Sequence, residues 1–325
     1  MAQFSANQTH GEKQRRLAGL TDANGQMVVV AVDHRGNLRA MIEQAAGRAI
    51  ADQELAEFKT AVTELLSPQA SAVLLDPEYG RGAAQRRAAG CGLLLAYEKS
   101  GYDNTRPGRR PDLLPRQSVA RLREAGGEAI KILLHYSDLE AAEINDEKRA
   151  FVERIGAECR DQGMPFFLEI ITYDPEGSGR GAAWARQRPE LIARAAEEFS
   201  AERYGVDVLK LELPVAASLC RGAGAAYSEA EAMRLARAAL APARRPVVFL
   251  SGGAGVREFT AGLELMAEAG VRFAGALCGR AIWQDGIAPF AAGGREALDR
   301  WLATEGRGHL ATVAACLARC AVPVA

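Results

Sequence analysis

Two lysines and one glutamate stand inside apolar runs of this chain. They are Lys131 in Ala-Ile-Lys-Ile-Leu-Leu-His-Tyr (129–136), Glu169 in Phe-Phe-Leu-Glu-Ile-Ile-Thr (166–172) and Lys210 in Val-Asp-Val-Leu-Lys-Leu-Glu-Leu (206–213). An ionised side chain in such a run pairs with an opposite charge, shifts its pKa or does chemistry. A lysine desolvated beside a second cation releases its proton more readily and becomes an amine nucleophile. Three such residues on successive strand candidates predict one shared polar site. The chemistry they suggest is Schiff-base formation on a carbonyl substrate.

Strand alternation fixes which way these residues face. With Lys210 inward, Val208 and Glu212 share its face, and Leu209 and Leu211 face the other way. The same count puts Phe167 and Ile171 with Glu169, and Leu133 and His135 with Lys131. A slip of one residue would press bare charges against apolar helices. Lys131 follows only two residues of its strand, so it is expected deeper than Lys210. Asp33 closes the first strand candidate on the face of Val29 and Ala31, and Glu98 ends the third on the face of Ala96. Asp76 and Glu78 are expected to be structural. Tyr136 and His135 are expected mainly to pack, with His135 near the mouth.

The elements that must hold these residues alternate in type. Strands are predicted over Met27–Asp33, Ala72–Asp76, Gly92–Glu98, Ala129–Tyr136, Pro165–Thr172, Val206–Leu213, Pro246–Gly252 and Gly275–Gly279. Helical periodicity runs through Asp52–Leu66, Pro115–Ala125, Asp146–Gln162, Pro189–Arg203, Ser228–Leu240 and Val256–Ala269. Pro115 and Pro189 suit first helical turns, Ser228 with Glu231 forms a capping box, and Gly126, Gly163 and Gly270 suit helix ends. This rhythm predicts an α/β protein, a (β/α)8 TIM barrel. One domain over 1–325 is expected, with 1–20 as an N-terminal arm and extra terminal helices. The loops 102–112 and 174–188 hold part of the surplus length.

The last two strand candidates end differently from the rest. Phe-Leu-Ser-Gly-Gly-Ala-Gly (249–255) and Ala-Leu-Cys-Gly-Arg-Ala-Ile-Trp (276–283) are glycine-rich turns. After strands seven and eight of a barrel, such turns offer backbone N–H groups and a helix start to a phosphate. Ser251 adds a hydroxyl beside Gly252 and Gly253, and Arg280, after Gly279, adds a bidentate fork. Ordinary tight turns are the alternative reading. Arg106, Arg109 and Arg110 form a basic loop that is expected to be solvated, although it lies where a second phosphate could be reached.

Several stretches resemble the class I tagatose 1,6-bisphosphate aldolases. They are Leu-Leu-Asp-Pro-Glu-Tyr-Gly (74–80), Gly-Leu-Leu-Leu-Ala-Tyr-Glu-Lys-Ser-Gly-Tyr-Asp (92–103), Phe-Phe-Leu-Glu-Ile (166–170), Asp-Val-Leu-Lys-Leu-Glu-Leu-Pro-Val (207–215) and Leu-Cys-Gly-Arg-Ala-x-Trp (277–283). The similarity runs in order from about residue 15 to about residue 305. The sulfofructosephosphate aldolases are more distantly similar. The resemblance implies a metal-free enzyme, without cofactor, that cleaves a ketose 1,6-bisphosphate to dihydroxyacetone phosphate and glyceraldehyde 3-phosphate. It implies Lys210 as the Schiff-base lysine, Glu169 as acid/base, Lys131 as a charged neighbour and Asp33 as a further catalytic carboxylate. It implies substrate contacts from His34, Arg35, Glu98, Ser251, Gly252, Gly253, Gly279 and Arg280. His34 stands where the family usually has glutamine, which places substrate orientation and pH response in question.

Composition fits a globular enzyme. The chain has 325 residues, 40 Lys plus Arg against 41 Asp plus Glu, and 48% hydrophobic residues. This balance offers no basic surplus for nucleic acid or an anionic membrane, and no apolar run is long enough to span a bilayer. The N-terminal Met-Ala-Gln-Phe-Ser-Ala-Asn-Gln lacks a basic start and apolar core, so a secretory signal is not expected. The six cysteines are scattered without a Cys-x-x-Cys pair, which suits reduced thiols in the cytoplasm. Cys316 and Cys320 lack a third ligand at metal spacing. The expected partner is a small phosphorylated sugar, and the expected assembly a homo-oligomer, with a dimer favoured. Two other classes stay open at this point: a barrel phosphosugar epimerase with no covalent imine, and a regulatory phosphosugar-binding protein.

Overall fold

Eight short parallel strands carry the chain around a closed barrel in sequence order. The computed structural model describes residues 11–103, 105–177, 179, 181–220 and 225–324. The strands are β1 (Met27–Ala31), β2 (Ala72–Leu75), β3 (Gly92–Ala96), β4 (Ala129–Tyr136), β5 (Phe166–Thr172), β6 (Val208–Glu212), β7 (Val247–Leu250) and β8 (Gly275–Cys278). Each predicted strand is present. Most are shorter than predicted, because their last residues turn out of the ladder into the mouth loops. Asp33, Glu98, Ser251 and Gly279 all lie just beyond strand ends.

A helix at 11–18, α1, precedes the barrel. Around it lie α2 (Gly36–Ala46), α3 (Asp52–Leu66), α4 (Arg81–Arg86), α5 (Val119–Glu124), α6 (Ala142–Asp161), α7 (Gly181–Phe199), α8 (Glu229–Leu240) and α9 (Val256–Glu268). After β8 come α10 (Arg280–Trp283), α11 (Ile287–Trp301) and α12 (Arg307–Cys320). Side chains segregate as the period-two count requires. Met27, Val29, Ala31, Leu74, Leu94, Ala129, Phe167, Val208, Val248 and Leu277 fill the interior. Val28, Val30, Leu93, Ile130, Ile132, Leu168, Leu209 and Leu211 pack against the helices. Burying this many aliphatic side chains, at about 25 cal/mol per Å² of apolar area, is the main force closing the barrel.

The bottom of the barrel is stoppered from both ends of the chain. Leu17 and Leu20 pack into the interior cluster with Val324. Lys13 Nζ holds Asp207 Oδ2 at 2.7 Å, and Val324 N–H donates to Gly25 O at 2.8 Å. The first half of the expected N-terminal arm, 1–10, lies outside the described residues.

Three helix expectations need correction. Pro115 does not open a helix. Ser118 does, accepting a bond from Arg121 N–H, and α5 starts at Val119. Pro189 lies inside α7, which begins eight residues earlier at Gly181. A proline inside a helix loses its own backbone bond and crowds the carbonyl one turn back, and here the upstream turn is held by buried Ala185 and by Arg186 on Glu231 at 3.0 Å. Between β1 and β2 the rhythm predicts one helix, but the chain has two. By contrast, Gly126, Gly163 and Gly270 all take the left-handed conformation that ends a helix. Among the described residues, no helix is long and apolar enough to cross a membrane.

Candidate active site

Register sets the depth of each charged residue in the barrel. Lys131 pairs with Phe167, whereas Glu169 pairs with Leu133 on one side and Lys210 on the other. Lys131 is therefore one inward layer below Glu169 and Lys210, as its place near the start of β4 predicts. Its long stem carries the ammonium up to their level. There Lys131 Nζ lies 2.8 Å from Asp33 Oδ2, from Glu98 Oε1 and from Glu169 Oε2. Lys210 Nζ lies 2.9 Å from the same Glu169 Oε2. All five side chains are buried.

The two lysines are thus in unlike positions. Three carboxylates converge on Lys131, while Lys210 is paired, among the described residues, with Glu169 alone. Burial works against the Lys131 charge, yet Asp33, Glu169 and Glu98 drive its pKa well above the ordinary lysine value. Burial likewise works against ionised Asp33 and Glu169, but Lys131 and Lys210 hold both carboxyls below their usual range. Lys131 is a fixed cation at the floor of the site.

Residues after β1 close one wall. His34 packs edge-on against Trp283, with ring centroids 5.2 Å apart, and its Nδ1 sits 3.8 Å from Asp33 Oδ1. Burial, with Arg280 and Lys210 adding to it against the pull of Asp33, lowers the His34 pKa to about 4. The imidazole is therefore neutral near pH 7, as a glutamine would be. Its buried Nδ1 has no hydrogen-bond partner. Arg35 reaches Glu78 Oε2 at 2.8 Å and the backbone oxygen of Glu98 at 2.8 Å. Its fork is turned onto the neighbours of the site, where it fixes Glu98.

The turns after β7 and β8 meet beside this wall, since β8 pairs with β1. Gly252 and Gly253 both have positive φ, at 60° and 96°. A Cβ on Gly253 would come 3.1 Å from Arg280 Nη1, so the bare glycine lets the guanidinium lie on the turn. Gly279 approaches the end of β1 so closely that a Cβ there would meet Ala31 O at 2.2 Å. Trp283 Nε1 donates to that same oxygen at 2.9 Å and ties α10 to β1. Among the described residues no carboxylate pairs with Arg280. A cavity of about 340 Å³ opens beside the turn, lined by Ser251, Gly252, Gly253, Glu212 and Arg188.

Residues 27–285 match the model of the DeoC/LacD family aldolases. The chain belongs to the DeoC/LacD aldolase family. It is a carbon–carbon lyase of the class I aldolase kind, so the epimerase reading falls away. A curated relative from Enterococcus faecalis, tagatose 1,6-diphosphate aldolase 1, is 42% identical over 316 residues, covering 96% of this chain and 97% of that one. The tagatose 1,6-diphosphate aldolase of Listeria monocytogenes serotype 4a is 42% identical over 311 residues, covering 94% and 92%. Solved structures share the fold at low identity. A fructose-bisphosphate aldolase from Plasmodium falciparum has a TM-score of 0.64 at 15% identity, covering 92% of this chain and 96% of that one. A Schiff base-forming fructose-1,6-bisphosphate aldolase has a TM-score of 0.56 at 16% identity, covering 92% and 98%.

The barrel adds buried groups to this aldolase site that strand patterns alone do not find. Lys59, on α3, is fully buried and paired with Asp76. Its Nζ also donates to Val32 O at 2.6 Å and His34 O at 2.7 Å, which pins the segment carrying Asp33. The sequence does hold the signal, since Lys59 lies on the helix stripe of Leu55, Val62 and Leu66. Asp76 Oδ1 accepts from the backbone of Glu78 and Tyr79, so its structural role is as expected. Tyr136 is buried against Phe199, also as expected. Among the described residues, no group of three or more His, Cys, Asp or Glu side chains could hold a metal ion.

Proposed function

We propose that this chain cleaves D-tagatose 1,6-bisphosphate reversibly to dihydroxyacetone phosphate and D-glyceraldehyde 3-phosphate through an imine on Lys210. The observation that carries the reading is the unequal pairing of the two lysines. Lys131 is held by three carboxylates, and Lys210 shares one carboxylate with it.

The unprotonated Lys210 amine attacks the ketone carbon C2. The carbinolamine oxygen takes a proton and leaves as water, and the nitrogen becomes a protonated imine. That iminium draws the electron pair of the C3–C4 bond as the C4 hydroxyl proton moves to a carboxylate. Glu169 is suited to this shuttling, because its Oε2 lies within hydrogen-bond distance of both lysine nitrogens and can pass protons at the nitrogen and at the substrate. Asp33 is the reserve base. The aldehyde half departs, the enamine is protonated at C3, and water releases dihydroxyacetone phosphate. The positive charge of Lys131 keeps Asp33 and Glu169 ionised between steps.

The part-exposed His34 ring is suited to contact a substrate hydroxyl, and Glu98 and Arg35 are suited to position Lys131 from behind. Ser251, Gly252, Gly253, Gly279 and Arg280 are suited to hold the C1 phosphate, turning remote binding energy into orientation of C2 over Lys210. The barrel works as one domain across the chain, with 1–20 as its arm, and a cytoplasmic setting suits six scattered cysteines without a Cys-x-x-Cys pair. A dimer is the assembly we propose. Assay of the purified protein against tagatose 1,6-bisphosphate, fructose 1,6-bisphosphate and sulfofructose phosphate tests the substrate assignment. Tagatose 1,6-bisphosphate should yield triose phosphates. Release of sulfolactaldehyde in preference would reassign the substrate.

A further inference from the structure

The basic loop after β3 does more than meet solvent. Arg106 is exposed, and Arg110 is spent on Glu147 Oε2 at 2.5 Å. Arg109 differs from both. Its φ of 46° makes it the one non-glycine residue at positive φ among the described residues, a conformation that costs free energy and persists where surroundings impose it. Its guanidinium lies against the Tyr173 ring at 4.3 Å and the Tyr102 ring at 5.4 Å. Tyr173 is itself fixed, its hydroxyl donating toward Glu140 Oε2 at 2.6 Å and receiving Lys148 Nζ at 2.9 Å. Tyr102 meets His135 edge-on, with centroids 4.8 Å apart. Both rings lie within cation–π distance of the guanidinium. Among the described residues, no carboxylate or carbonyl accepts from Arg109.

The place of this cation matters. His135 is the inward residue of β4 one layer above Leu133, which pairs with Glu169. It stands about 6–7 Å mouthward of the Glu169 level at the strand rise. In the closed order of eight strands, β4 lies opposite β8, whose end carries Arg280. Two guanidinium groups without carboxylate partners thus stand on opposite sides of the mouth, with Lys210 between and below them. A ligand with an anion at each end would neutralise both.

We infer that Arg109, braced by Tyr102 and Tyr173 and flanked by His135, is the binding site for the distal phosphate of the open-chain ketose bisphosphate, the end that leaves with the aldehyde. This rests on the proposed function for the ketose bisphosphate as ligand and for Arg280 and the Ser251 turn as the site of its other phosphate. It assigns recognition of the aldehyde half to a loop rather than to the barrel floor.

Equilibrium binding of substrate-like polyols tests this without catalysis. A hexitol 1,6-bisphosphate and a hexitol monophosphate lack the ketone and cannot form an imine. Arg109→Ala should weaken the bisphosphate about 10–100-fold and leave the monophosphate unchanged, as expected for one lost charge-assisted contact. Arg109→Lys should recover part of the loss, and Arg106→Ala should change neither. Thermal melts of each variant check that the fold is kept. Equal weakening of both ligands, or of neither, overturns the assignment. Failure of the aldolase reading would register separately, as absence of a reduced lysine adduct in the wild type.

Discussion

At the scale of single residues, one carboxylate oxygen decides the chemistry. Glu169 Oε2 touches both lysines, so its removal should disturb proton transfer without preventing attack by Lys210. Glu169→Gln is expected to lower kcat about 10²–10⁴-fold, the usual reach of general acid–base assistance, while borohydride still traps an adduct. Single-turnover rates with trapping check this, and unchanged turnover would move the proton shuttle to Asp33. Arg280→Ala should weaken a phosphorylated ketose by about 1.5–3 kcal/mol and a non-phosphorylated ketose far less. Equal losses in kcat/KM on the two would mark Arg280 as structural. His34 gives a pH test. Its folded pKa of about 4 lies below the ordinary 6.5, so between those values the unfolded chain binds the extra proton. The stability linked to His34 is therefore complete above about pH 6.5 and is lost as pH falls toward 4. Urea unfolding across that window should show a shallower loss in His34→Gln than in the wild type, by on the order of 2 kcal/mol.

At the scale of elements, the site depends on what lies behind it. Lys59 of α3 bonds to Asp76 and to the backbone oxygens of Val32 and His34, so it fixes the segment that presents Asp33. Lys59→Met leaves Asp76 buried and unpaired, and should destabilise the protein by about 3–5 kcal/mol. Adding Asp76→Asn should restore much of that, as read from urea midpoints, and a single variant as stable as the wild type would contradict this role. The strands and their facing were legible in the sequence because period-two alternation with a lone charge has a single sensible register. Lys131, Glu169 and Lys210 could be brought together on that basis alone. The mouth loops were not legible in this way. The expectation for Arg109 treated it as one of three solvated arginines, yet two rings from separate loops enclose it, a contact that no local pattern encodes. Pro189 shows the same limit, since packing carried α7 upstream past a residue that locally reads as a start. Shorter strands than predicted follow from function, as Asp33, Glu98 and Ser251 leave the ladder to face the mouth.

At the scale of the whole molecule, the barrel gathers five charged side chains, two from just beyond β1 and β3 and three from β4, β5 and β6, into one buried network. The cation at the focus of its three carboxylates is an ammonium, which motivates the expectation that turnover needs no metal. Exhaustive chelation should leave activity intact, and a loss restored by zinc would contradict it. The central claim is that the two buried lysines have distinct work, Lys131 as a permanent charge and Lys210 as the nucleophile. Borohydride reduction in the presence of dihydroxyacetone phosphate, followed by peptide mass mapping, tests it most directly. The account predicts a reduced adduct on the peptide that carries Lys210 and none in Lys210→Ala. An adduct on the Lys131 peptide, or one that survives Lys210→Ala, would contradict it.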